Sequence, residues 1–229
     1  MKRLLGLSLA ATTALSVSAF AAPVQERVRG TVSSISGDSL TVHTTMGTDV
    51  AVTLGSGTKY LQVEKSSLGN IEKDSYIGTA TKNVGEKLVA LEVVIFPPSM
   101  KGTGDGHYAW DTIPDTTVSG GSKTASAMTN GNVAAVATSP RTPQVNSTMT
   151  NGNVAAASSQ AGAKELTVTY KGGQQTILVP PTAPIVTFKP GTMSDVTPGS
   201  TVFVNATKDG EKTTANAVAV GVGGATPPM

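Results

Sequence analysis

Five blocks of this chain recur in the same order at a spacing of 122 to 126 residues. Arg29-Gly-Thr-Val-Ser-Ser-Ile35 is answered by Asn151-Gly-Asn-Val-Ala-Ala-Ala157, and Ser39-Leu-Thr-Val-His-Thr44 by Glu165-Leu-Thr-Val-Thr-Tyr170. Asp49-Val-Ala-Val-Thr-Leu54 is answered by Gln175-Thr-Ile-Leu-Val-Pro180. The stretch from Ser67 to Lys82 parallels Thr192 to Lys208, and Gly85-Glu-Lys87 parallels Gly210-Glu-Lys212. Self-similarity at a nearly fixed spacing marks a chain made by repeating one structural unit.

Each copy has the pattern of short strands. In the first, Val28–Ile35, Leu40–Thr44, Val50–Leu54, Tyr76–Thr81 and Leu88–Phe96 alternate with period two and are rich in β-branched residues. Gly37-Asp38 and Gly47 mark turns between them. Between the third and fourth, Leu68 and Ile71 stand three residues apart, as on one short helical turn; Met193–Val196 takes that place in the second copy. Three strands, a helical turn and two strands is the order of an OB-like five-stranded barrel. The expected fold is therefore all-β, with two OB-like barrels in tandem over residues 24–98 and 147–222. A unit of roughly 70 residues buries little surface alone, so the copies are expected to pack together.

Residues 99–146 read as a partly irregular linker, and 223–229 as a disordered tail rich in Gly and Pro. Inside the linker, Met128-Thr-Asn-Gly-Asn-Val-Ala-Ala135 is repeated as Met149-Thr-Asn-Gly-Asn-Val-Ala-Ala156. The second octet is expected to be the first strand of the second copy. The first octet then either pairs as a surplus edge strand or stays loose.

The first 21 residues read as a cleavable secretory signal. Lys2-Arg3 precede an uncharged stretch from Leu4 to Val17, and Ala19-Phe20-Ala21 fits the small-x-small cleavage pattern, with cleavage expected after Ala21. No later segment is long and apolar enough for a spanning helix, so no integral span is expected after cleavage. The mature protein is expected in the periplasm or secreted. Without Lys2 and Arg3 the 17 basic residues become 15, equal to the 15 acidic ones. A neutral chain with 4% aromatic residues lacks the basic groove and stacking rings of a nucleic-acid binder. It also lacks the aromatic girdles of an outer-membrane barrel. The absence of cysteine excludes disulfides, thiolate metal sites, cysteine nucleophiles and a lipoprotein anchor.

Chemistry-bearing residues concentrate in one place. Gly102-Thr-Gly-Asp-Gly-His-Tyr-Ala-Trp-Asp111 holds the single Trp and one of the two His. A ligand or metal patch here would use Asp105, His107 and Asp111, with Tyr108 and Trp110 beside them. The favoured reading is structural: Tyr108 and Trp110 pack across the seam between the barrels, and His107 and Asp111 satisfy backbone groups. The other histidine, His43, is expected on a solvent face. No phosphate loop, nucleophile elbow or His-Glu-x-x-His metal motif is present, so no cofactor is expected.

These residues resemble a family of small exported proteobacterial proteins of unknown function. The resemblance rests on Val28–Ile35, Leu88–Pro98, the linker Gly102–Asp111 and the Met-Thr-Asn block after it. This chain has Asp105 where Glu is usual and Ala109 where Pro is common. The resemblance implies duplicated OB-like domains without an established activity. Some relatives carry a metal-transporter permease label, which a chain without spanning helices does not support. The expected function is an exported, non-catalytic binding or interaction module with an unknown protein or small-molecule partner. The alternative is a periplasmic metal-binding protein or enzyme using the His107 cluster.

Overall fold

The computed structural model describes residues 22–118, 122–138 and 162–228. Twelve strands account for most of them: β1 (Val24–Ser36), β2 (Ser39–Thr44), β3 (Asp49–Lys65), β4 (Tyr76–Val84), β5 (Lys87–Ile95) and β6 (Gly106–Pro114) in the first part. The rest are β7 (Lys123–Thr138), β8 (Lys164–Tyr170), β9 (Gly173–Val179), β10 (Ile185–Pro190), β11 (Thr201–Asp209) and β12 (Lys212–Gly221). The expected helical turns are short 3-10 segments at Leu68–Asn70 and Met193–Asp195. No helix among the described residues is long and apolar enough to cross a membrane.

Period-two alternation decides which face of each strand is buried. Val28, Val32, Leu40, Val42, Val52 and Leu54 point inward, and all are at most 5% exposed. Their ring partners close the barrel: β1 pairs with β2, β2 with β3, β3 in parallel with β12, β12 with β11, and β11 with β1. Val202, Val204, Val218 and Val220 complete its core. Closure gives each of those five strands two ring neighbours, although β2 covers β1 only over Gly30–Ser36. Gly30 lies where β1 passes over β2, and a Cβ there would overlap the His43 carbonyl. Gly131 meets the Thr169 carbonyl in the same way.

A second ring runs from β7 to β8 and β9, then β5 and β4, and returns to β7. Here too the third and fifth strands of the ring pair in parallel, over Leu88↔Ile177 and Val89↔Leu178. Ile77, Val93, Val133, Leu166, Val168 and Ile177 fill it.

The rings do not follow the halves of the sequence, which corrects the simple tandem picture. Each takes its first three strands from one half and its last two from the other. The two rings meet where β10, which follows β9, runs beside the far end of β3. β3 and β10 pair antiparallel, with Leu61↔Pro190, Val63↔Phe188 and Lys65↔Val186. A shift of 125 residues maps the first pair onto the last and places Val63 on Phe188, so a pseudo-dyad passes through that central pair. Around it cluster Tyr76, Phe96, Phe188 and Phe203, with ring centroids 5.6 Å apart for both Tyr76–Phe96 and Phe96–Phe188. Patterning specifies strands and faces. It does not distinguish one copy of a near-identical strand pair from the other, so exchange of like elements costs little.

Two further expectations change. The first octet, Met128–Ala135, lies inside β7, an interior strand flanked by β4 on one side and by β6 and then β8 on the other. It is neither a surplus edge nor loose, and holds in the second ring the place that β1 holds in the barrel. The second octet lies outside the described residues. The tail expected to be disordered packs instead: Ala225, Pro227 and Pro228 are buried. Gly221 makes this possible, because a Cβ there would overlap the Ala225 carbonyl and touch Pro227.

Candidate functional site

The linker enters the site through a 3-10 turn at Pro98–Met100 and two glycines with positive φ, Gly102 at 89° and Gly104 at 62°. The Tyr76 hydroxyl donates to the Thr103 carbonyl at 3.0 Å, and Asn130 Nδ2 donates to the Gly104 carbonyl at 3.0 Å. So anchored, the chain forms β6, antiparallel to β7 from Gly106↔Asn130 to Pro114↔Lys123. The register shifts between Ala109 and Thr112, placing Trp110 and Asp111 in a β-bulge. A bulge re-aims side chains out of the regular alternation.

The bulge delivers Asp111 to β1. Its two carboxylate oxygens accept from Arg27 Nη1 and Arg29 Nη1, each at 2.8 Å. Arg27 and Arg29 are two apart on one strand and therefore share a face. The Arg27 guanidinium lies 3.8 Å from the Trp110 ring centroid, and that of Arg29 is 5.1 Å from the Phe203 ring. Trp110 packs in turn against a cluster of Ala80, Leu91, Ile113 and Met128. Tyr108 meets Trp110 edge to face at 5.9 Å. Burial raises the Tyr108 phenol above its ordinary range, with the nearby Arg27 charge opposing.

The other two candidates turn elsewhere. His107 Nδ1 is 2.8 Å from Thr129 Oγ1, and its ring stacks on Tyr170 with centroids 6.1 Å apart. Asp105 Oδ2 accepts the Lys171 backbone N–H at 2.7 Å, and its Oδ1 accepts from the Tyr76 hydroxyl at 3.4 Å. Burial and then the Asp105 charge push the Tyr76 phenol far above its ordinary pKa. Asp105, His107 and Asp111 therefore have separate partners. Among the described residues, no three His, Asp or Glu side chains stand close enough to hold a metal ion. His107 and Asp111 were expected to satisfy backbone groups; they bond side chains, and the backbone group goes to Asp105. The expected cleavage site, Ala21, lies outside the described residues.

Sequence reasoning missed Arg27, Arg29, Asn130 and a second anchor at the far end of the linker. There Lys82 Nζ donates to Asp115 Oδ2 at 2.6 Å, with both side chains mostly buried. Thr117 adds a backbone and a hydroxyl bond to Asp115 Oδ1. Burial works to raise the Asp115 pKa, but the Lys82 and Thr117 bonds outweigh it and hold the carboxyl below its ordinary value. The signal for the first cluster was an Arg-x-Arg pair on one strand face, which reads as solvated until an acid is brought to it. His43 is exposed as expected and pairs with Asp49 at 2.8 Å.

The barrel also bears an open groove of about 520 Å³ where the β3–β12 ladder parts. Residues 55–58 bulge out between the pairs Leu54↔Ala215 and Lys59↔Ala217. Gly55, Gly57, Lys59, Thr214 and Asn216 line it. The corresponding interruption in the second ring falls between β9 and β10, where the chain reads Pro180-Pro-Thr-Ala-Pro184. No family model matches the chain, and neither a curated protein nor a solved structure matches it.

Proposed function

We propose that the mature chain is an exported, non-catalytic binding or interaction module built of two OB-like barrels that exchange strands. Supporting the OB-like assignment are the ring order and the parallel pairing of third and fifth strands in both rings. The resemblance carried by Val28–Ile35, Leu88–Pro98 and Gly102–Asp111 points the same way, as does the leader for export to the periplasm or beyond.

One observation carries the reading. The three acids and the histidine of the described linker each have a partner within the fold: Asp111 on Arg27 and Arg29, His107 on Thr129, Asp105 on Lys171, Asp115 on Lys82. A catalytic or metal centre needs such groups to converge on one point. The barrel surfaces remain for binding, and OB-like barrels present a strand face and loops to ligands.

Thermal melting of the mature protein against divalent metals, anions and small glycans tests this, since a ligand that binds only the folded state raises the midpoint as its concentration rises. The expected result is no metal-dependent shift, in the native protein or in His107→Ala. A metal-dependent rise that His107→Ala removes would refute the reading and install a metal centre in its place.

A further inference from the structure

β7 and β1 hold equivalent places in the two rings, 101 residues apart: Val32↔Val42 in one matches Val133↔Val168 in the other, each followed by the same register shift. Along one side, β7 pairs with β8 over Asn132–Thr138 and with β6 over Lys123–Asn130. On the matching side β1 pairs with β2 over Gly30–Ser36. Its remaining residues, Val24–Arg29, have no strand there among the described residues; β11 occupies only their other side. A single hydrogen bond, Thr45 N–H to the Arg29 carbonyl at 3.0 Å, closes the inner end of this gap. Backbone groups alternate along a strand, so the N–H and C=O of Gln25 and Arg27 turn the same way as that Arg29 carbonyl. Val24, Gln25 and Arg27 are exposed.

We infer that this edge of β1 is a docking site for an extended, acidic segment of a separate polypeptide, added antiparallel as β6 is added to β7. The inference rests on the reading of the chain as a binding module. Strand addition gives affinity through main-chain hydrogen bonds and specificity through alternate side chains. The template is internal. On β7, Gly106 stands opposite Asn130 and Tyr108 opposite Met128; these are the counterparts of Arg29 and Arg27. The charge is unbalanced in a way that selects the partner. Arg27 and Arg29 share the single carboxylate of Asp111, and Arg29 Nε and Nη2 have no hydrogen-bond partner. An incoming strand with acidic residues at those two positions supplies the missing charge. A second copy of this chain is a poor occupant. Antiparallel self-pairing centred on the exposed stretch sets Arg27 against Arg27 or Glu26 against Glu26, and like charges directly opposite destabilise a ladder.

The probe is a nine-residue peptide with the β6 sequence Gly106–Pro114 carrying Gly106→Glu and Tyr108→Glu. It is titrated into the ¹⁵N-labelled mature protein and followed by amide shifts and hydrogen exchange. The edge proposal expects Gln25 and Arg27 amides to shift and to exchange at least tenfold more slowly. A peptide with Lys at the two positions is expected to bind at least tenfold more weakly. A peptide N-methylated at the amides facing β1 is expected not to bind, a control that leaves the protein untouched. Absence of binding, binding that maps away from Val24–Arg29, or binding indifferent to N-methylation would each overturn it. A ligand from the melting panel that binds while the acidic peptide does not would keep the module reading while sinking the edge.

Discussion

On the outside of the barrel, Arg27, Asn205 and Asn216 occupy three positions that Met128, Ala80 and Leu91 occupy on the outside of the second ring. The first three are polar and at least partly exposed. The last three are at most 1% exposed, buried under Ile113 and Trp110 of β6. One backbone thus carries two surfaces, and what differs is the strand lying over them. On the second ring, β6 builds a small apolar cluster of its own over the outer face. The barrel keeps the polar version of the same face: β6 meets it only at its Arg27 and Arg29 end, through Trp110 and Asp111.

The sharpest way to break this comparison is to exchange residues between the two faces. Leu91→Asn puts the barrel's residue under β6 and is expected to cost about 3–5 kcal/mol, from lost packing and a buried amide. The reciprocal Asn216→Leu is expected to change stability by less than about 0.5 kcal/mol. Urea unfolding of both variants checks this, and equal effects would show that the faces are not distinct. Trp110→Ala comes next. It opens the cluster around Met128 and removes the ring beneath Arg27, with an expected loss of about 2–3 kcal/mol for a side chain only partly buried. The loss should appear without any ligand.

Asp111→Asn tests the ionic half of the joint. Arg27, Arg29 and Asp111 are each a quarter to a third exposed, so solvent screens them, and about 1 kcal/mol is expected. The effect should shrink in high salt if charge rather than packing holds β6 to β1. The smallest effect concerns pH. Asp115 has a folded pKa held below its unfolded value. Its contribution is fully present above the ordinary carboxylate pKa of about 3.9 and disappears as pH falls through the lower folded value. Denaturation between acidic and neutral pH should show this limb, and Lys82→Met should flatten it.

The strands were legible because Val, Leu and Thr alternate and glycines mark the turns. Leu68–Asn70 and Met193–Asp195 were legible because their apolar residues sit three apart. Ring membership was not, since the pairs β4–β5 and β11–β12 present the same pattern and the same bulge, between Ala80 and Thr81 in one and Asn205 and Ala206 in the other. Nor was the choice of octet, because two identical segments carry identical preferences. Of the site, the aromatic and acidic residues stood out by type. Their partners did not: Arg27 and Arg29 lie more than 80 residues from Asp111, and local sequence carries no signal for a contact made by tertiary packing.

The exchange of strands between rings bears on the order in which the protein can become compact. The first 98 residues contain three strands of one ring and two of the other. They complete neither. β11 and β12 must leave the ribosome before the barrel can close, so the ring stays incomplete until Gly221 has been made. Closure then depends on contacts between sequence-distant segments, which form slowly. A stop codon a few residues before Gly221 would leave a hole in the ring that the first residues began.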